Sequence, residues 1–122
     1  MSKPNSITID DVQYIRADSV IDSATKYNNM PYCIIRTHSA GVFAGYVASR
    51  DGQEVTLLKA RRLWYWEGAA SLSQMAMEGT SKPNSCKFPQ EVTEIVLLQV
   101  IEILSCTNQA QKSIEDVKVW KQ

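Results

Sequence analysis

The amino-acid sequence predicts a single α+β domain with a mainly antiparallel sheet and two or three short helices, and three observations carry that expectation. The chain has 122 residues, 44% of them apolar and 21% charged, which is enough for one hydrophobic core and leaves little room for a second. Two runs rich in β-branched and aromatic residues flank Asp51-Gly52, a dipeptide suited to a tight hairpin because both central positions of that turn need positive φ. Further segments space their apolar residues three and four apart behind a side chain able to cap a helix.

Taken in order, residues 6–16 alternate apolar and polar side chains and predict a short strand pair bending at Asp10-Asp11. Residues 18–28 place Val20, Ile21, Ala24 and Tyr27 at helical spacing behind Asp18, a helix ended by Asn28-Asn29. PYCIIRT and VFAGYVASR, residues 31–37 and 42–50, read as strands. Residues 54–66, EVTLLKARRLWYW, predict a long strand, or a strand with a bulge, paired with 42–50. Residues 69–79 carry Leu72, Met75 and Ala76 on one helical face and close on Gly79. The two prolines and clustered turn formers of 80–89 make a loop. Residues 92–104 are read as one strand with Ile95, Leu97, Gln99, Ile101 and Ile103 on one face. Thr107 then caps a terminal helix that packs Ala110, Ile114 and Val117, with Val119-Trp120 docking as a tail.

Composition excludes several classes of function. Thirteen Lys and Arg balance thirteen Asp and Glu, so no overall field gathers a DNA or RNA polymer or an anionic membrane surface. The longest aliphatic run spans residues 95–98, far short of the roughly 20 residues of a membrane helix, and the N-terminal residues lack an apolar signal region. A soluble, cytosolic protein is expected. Cys33, Cys86 and Cys106 are odd in number and show no zinc-binding spacing, so reduced structural thiols are expected. His38 is the sole histidine, which rules out a multi-histidine metal site, and its neighbours Thr37 and Ser39 suit a loop better than a catalytic triad. No metal and no cofactor is expected. Walker and Rossmann glycine patterns and a nucleophile elbow are missing as well.

The balance of charge is uneven along the chain. Residues 31–87 hold seven cations against four carboxylates, a net +3, while the flanking segments are net negative. Within this middle part KARRLWYW, residues 59–66, packs three cations and three aromatic rings into eight positions. On a strand, Lys59, Arg61, Leu63 and Tyr65 would share one face and Arg62, Trp64 and Trp66 the other. Such pairing suits a nucleotide, since a guanidinium fork grips phosphate oxygens and a ring stacks on a base for about 1–3 kcal/mol. The plainer reading is that the tryptophans are core and the arginines solvated. Ser39, Gly41 and Gly45 in THSAGVFAGY would let a backbone approach a ligand or another chain closely, although strand glycines more often mark bulges. Lys87 and Phe88 in the loop could close over a base, and the plainer reading makes Phe88 a local anchor.

The succession RTHSAGVFAGY, RDGQEV, ARRLWYWEGAASLSQMAMEG, CKF and LSCTNQAQKSIEDVKVW resembles phage proteins of the type-one Thoeris anti-defence family, over about residues 14–120. The most specific part is ARRLWYW-x-GA-x-SL. Members of that family are sponges, not enzymes. They sequester cyclic ADP-ribose isomers of Thoeris immunity, and some also take cyclic di- and trinucleotides of cyclic-oligonucleotide (CBASS) immunity, as dimers that assemble into hexamers. The resemblance implies a homo-oligomer acting in the cytoplasm of the infected bacterial host, with Gly41, Arg61 and Asn108 in or near a trinucleotide site. Arg36, Arg62, Trp64, Trp66, Lys87 and Phe88 are the residues chosen by their chemistry for the other pocket. Two rival readings stay open: an inhibitor that docks directly on a host defence enzyme, and a nucleotide-cleaving enzyme of unfamiliar type.

Overall fold

Two residues separate strands that lie on opposite edges of the sheet, and this fixes the shape of the molecule. The computed structural model describes residues 29–121. In chain order it contains β1 (Tyr32–Thr37), β2 (Val42–Asp51), β3 (Glu54–Arg62), α1 (Leu72–Glu78), a 3₁₀ turn (Pro83–Ser85), β4 (Val92–Leu97), β5 (Val100–Ser105) and α2 (Asn108–Asp116). The strands form one five-stranded sheet in the order β4-β3-β2-β1-β5, antiparallel throughout. Leu97 and Val100 are therefore neighbours in sequence at opposite edges; two linking residues span about 11 Å, against about 19 Å across a flat sheet of this size. The sheet must curl until its edges converge, and the hairpin tip follows, with Val100 N donating to Gln53 O at 2.9 Å.

The curl divides the apolar residues into two cores. Cys33, Ile35, Phe43, Val55, Leu57, Ala60, Leu97 and Val100 fill the interior of the curl. The outer face carries Tyr32, Ile34, Ala44, Tyr46 and Leu63, covered by Met75 and Ala76 of α1 and by Ala110 and Ile114 of α2. α2 begins as the sequence predicts, with Thr107 Oγ1 accepting from Ala110 N, and α1 is capped by Ser71, whose Oγ accepts from Gln74 N. The hairpin expected at Asp51-Gly52 forms with its turn one residue further on: Asp51 pairs with Glu54, so Gly52 and Gln53 are the central pair, and of these only Gly52 takes a positive φ, 62°. The α+β expectation is met by one small domain with an antiparallel sheet and two helices among the described residues. The strand pair expected at 6–16 and the helix expected at 18–28 lie outside the described residues.

Two expectations are corrected. Residues 92–104 are two strands, broken at Leu98-Gln99, where Gln99 takes φ 56°. The break slips the alternation by one, so Leu97 and Val100 are both buried while Ile101 and Ile103 face outward. The strand expected at 54–66 is shorter, β3 stopping at Arg62, and of the two forms expected it takes the bulged one. Lys59 sits in it at φ 52°, a bulge that matches the register shift against β2 between Ala44 and Tyr46. Gly45 lies opposite, where a Cβ would come within 3.0 Å of Leu58 O and 3.1 Å of Ala60 Cα; its role is close backbone approach.

Candidate site at the stacked indoles

The end of β3 sends its two arginines to opposite faces. Arg61 points to the helix side and is 5% exposed. Its Nε donates to Pro89 O at 3.1 Å, Nη1 to Ile114 O at 2.8 Å and Nη2 to Phe88 O at 3.1 Å. Burial lowers its pKa, an effect opposed by the neighbouring Tyr32 and Glu91, yet a guanidinium remains charged in this setting. Arg62 takes the other face, 4.3 Å above the Phe43 ring centroid, and its Nη1 donates to Ala40 O. It ties down the turn containing Ser39 and Gly41. Gly41 adopts φ 110°, and a Cβ there would come 3.3 Å from Arg62 Nη1.

Beyond Arg62 the chain leaves the sheet and its side chains become available. Leu63 remains buried, but Trp64 is 58% exposed. Tyr65 bridges to Lys87 in antiparallel fashion, with Lys87 N donating to Tyr65 O at 2.8 Å. The bridge sets the Lys87 ammonium 5.6 Å from the centroids of both Trp64 and Tyr65. From the other end of the chain, Phe88 pairs in parallel with Val119, and Trp120 N donates to Phe88 O at 3.0 Å. Trp120 then stacks on Trp64 with centroids 5.1 Å apart and ring planes within 6°, and lies 5.8 Å from the same ammonium. Tyr65 donates its hydroxyl to Glu67 Oε2 at 2.7 Å; this bond and the nearby negative charge raise the phenol's pKa.

The structure thus gathers Trp64, Lys87, Tyr65 and Trp120 into one surface site of two stacked indoles, a phenol and a primary cation. Chemically it offers a flat apolar platform with an ammonium at its edge, an arrangement that takes a π system and an anion together. Trp120 enters the site from a position read in the sequence only as a docking tail. The available signal was an apolar pair, Val119-Trp120, at the end of an otherwise charged and polar segment.

Other candidates are placed elsewhere. Phe88 is fully buried in the helix-side core, so it anchors the loop and does not close over a ligand. Trp66 is half-buried against the same core. Arg36 is exposed and paired with Glu102 at 2.9 Å, Ser39 is exposed in the β1–β2 turn, and Asn108 is exposed at the start of α2. None of these belongs to the indole cluster. His38 is exposed, its main-chain N–H donating to Gln99 O.

Three further features complete the chemistry. A cavity of about 210 Å³ is lined by Tyr32, Arg61, Glu91, Glu115, Val117 and Val119. Beside it Gln111 Nε2 donates to the Tyr46 hydroxyl at 2.7 Å and to Glu115 Oε2 at 3.2 Å. Burial, and then Glu115, push the Tyr32 phenol pKa up. The three cysteines are free and buried, and burial pushes the Cys106 thiol up to about 12. Among the described residues no three His, Cys, Asp or Glu side chains are grouped to hold a metal ion, and no helix is long and apolar enough to cross a membrane.

A family model described as a domain of unknown function, DUF6948, matches residues 30–114. No curated protein and no solved structure matches the chain.

Proposed function

The chain belongs to the DUF6948 family, and we propose that it is a nucleotide-sequestering protein that acts as the type-one Thoeris anti-defence proteins it resembles act. In this reading it captures cyclic ADP-ribose isomers, and cyclic di- and trinucleotides of CBASS immunity, in the cytoplasm of the infected bacterium, and releases them uncleaved. The single observation that carries it is the Trp64–Trp120 stack with Lys87 beside it. An adenine base stacks on the outer face of Trp64, which is open to solvent, and the Lys87 ammonium meets the pyrophosphate. Beside the cluster the Glu67 carboxylate accepts the Tyr65 hydroxyl, and in this reading it orients the phenol and takes no part in cleavage.

Sequestration of a scarce messenger needs nanomolar affinity, about −12 kcal/mol, and slow release. One exposed indole pair encloses too little of a dinucleotide-sized ligand for that. The remainder of the enclosure comes, in this proposal, from neighbouring copies, dimers assembling into hexamers. Exposed Val92, Val96, Leu98, Ile101 and Ile103 on β4, β5 and their connection supply apolar surface for such contacts. The same surface favours the second reading, an inhibitor docking on a host defence enzyme.

One experiment separates the readings. Purified protein is incubated with cyclic ADP-ribose isomers or cyclic di- and trinucleotides, freed of unbound ligand, heated, and the supernatant chromatographed. Sequestration predicts release of intact nucleotide. Altered nucleotide would make the protein an enzyme, and no retained nucleotide would leave the docking inhibitor.

A further inference from the structure

We infer that Arg61 is a positioning residue for the indole site, acting through main-chain carbonyls and not by touching a ligand. The inference rests on the reading of that site given above. Trp64 follows directly from β3, but its two companions arrive from segments distant in sequence, Lys87 from the 80–89 loop and Trp120 from the tail after α2. Neither segment belongs to the five-stranded sheet; besides the Tyr65–Lys87 and Phe88–Val119 bridges, one side chain of β3 ties both to its end.

Arg61 joins both. Phe88 and Pro89, whose carbonyls accept from Nη2 and Nε, follow Lys87 immediately. Ile114, whose carbonyl accepts from Nη1, stands in the last turn of α2, just before the tail that delivers Trp120. The Ile114 carbonyl accepts from the Val117 amide at 3.3 Å as well, and a cation at a helix C-terminus is favoured by the helix dipole. The arrangement meets at one atom: Phe88 O accepts both from Arg61 Nη2 and from the amide of Trp120. The guanidinium and the backbone that carries the second indole share a single acceptor.

The planar fork serves three carbonyls of two segments from three separate nitrogens. A lysine ammonium keeps the charge and the aliphatic stem but is a point donor on a flexible chain. Arg61→Lys therefore leaves the polarity of the interior intact while removing the brace.

The test reads the geometry of the indole pair independently of any ligand. Parallel indole planes 5.1 Å apart couple their transitions, and in-plane dipoles that cross give a paired-sign band in far-ultraviolet circular dichroism; Trp64→Phe removes it and identifies it. In Arg61→Lys, well below its unfolding temperature, the band is expected to fall by more than about half, and affinity for cyclic ADP-ribose by about tenfold, a loss within the range of one base–indole stack. A purely structural loss of stability would leave the band of the folded fraction unchanged. An intact band in folded Arg61→Lys overturns the inference, whether binding persists or is lost; loss of binding with the band intact would mean that Arg61 touches the ligand. If Arg61→Lys does not fold, hydrogen exchange in the native chain decides: the Trp120 amide is expected to be protected like the β3 amides, and exchange at the rate of unstructured chain overturns the inference. A native chain that binds no nucleotide, with the band still lost in Arg61→Lys, sinks the sequestration reading alone and leaves the brace standing.

Discussion

The eight residues 59–66 divide at Arg62 into a cationic half and an aromatic half of opposite fate. The first half, Lys59 to Arg62, ends strand β3, and both arginines are consumed by the fold: Arg61 holds three carbonyls, and Arg62 covers Phe43 and holds Ala40 O. The second half has left the sheet. Trp64 and Tyr65 are exposed, and Lys87 and Trp120 assemble around them. A cation or ring inside a sheet answers first to the main-chain groups and side chains packed against it. Residues just past the strand end keep their chemistry for other molecules while the strand still fixes where they stand.

The contrast can be broken hardest from the buried side. Phe88→Ala removes a fully buried ring and is expected to cost about 3–5 kcal/mol, read as a fall in the urea midpoint with an unchanged slope. A cost below about 1 kcal/mol would mean that Phe88 is not part of the core.

Trp64→Ala should act the other way. Unstacking an exposed indole pair costs folding stability only about 0.5–1.5 kcal/mol, but nucleotide affinity should drop by roughly 5- to 150-fold, the value of one base stack. Calorimetric titration and thermal unfolding of the same variant measure both. Equal losses in stability and affinity would erase the distinction between the two halves.

The mildest test concerns the thiols. With its pKa pushed up to about 12, Cys106 stays protonated in the fold, whereas an unfolded thiol ionises near 8.5. The folded value lies above the unfolded one, so this contribution to stability is complete below about pH 8.5 and is lost as pH rises towards the folded value. Native protein at pH 8 should react with a thiol reagent at Cys106 and Cys33 only as fast as it unfolds. Immediate modification of either would contradict their burial.

Much of the fold was legible because its signals are local. Asp51-Gly52 announced the hairpin, Thr107 announced the start of α2 through its own side chain, and the opposed directions of Arg61 and Arg62 followed from strand alternation. The break at Leu98-Gln99 was not legible, because a chain passing from one sheet edge to the other leaves no mark on the alternation until the curl is known. The role of Arg61 was hidden for a related reason. Its partners are the carbonyls of Phe88, Pro89 and Ile114, and a main-chain carbonyl has no side-chain signature. Trp64 and Lys87 were found because their chemistry is their own, whereas Trp120 joins them only through the pairing of Val119 with Phe88.

The most direct measurement of the central claim is the indole emission of the native protein during titration with a cyclic ADP-ribose isomer. Stacking of the base on Trp64 predicts saturable quenching that tracks binding and disappears in Trp64→Leu. Tight binding that leaves the emission untouched, or quenching that survives in Trp64→Leu, would place the nucleotide away from the stacked indoles and contradict the account.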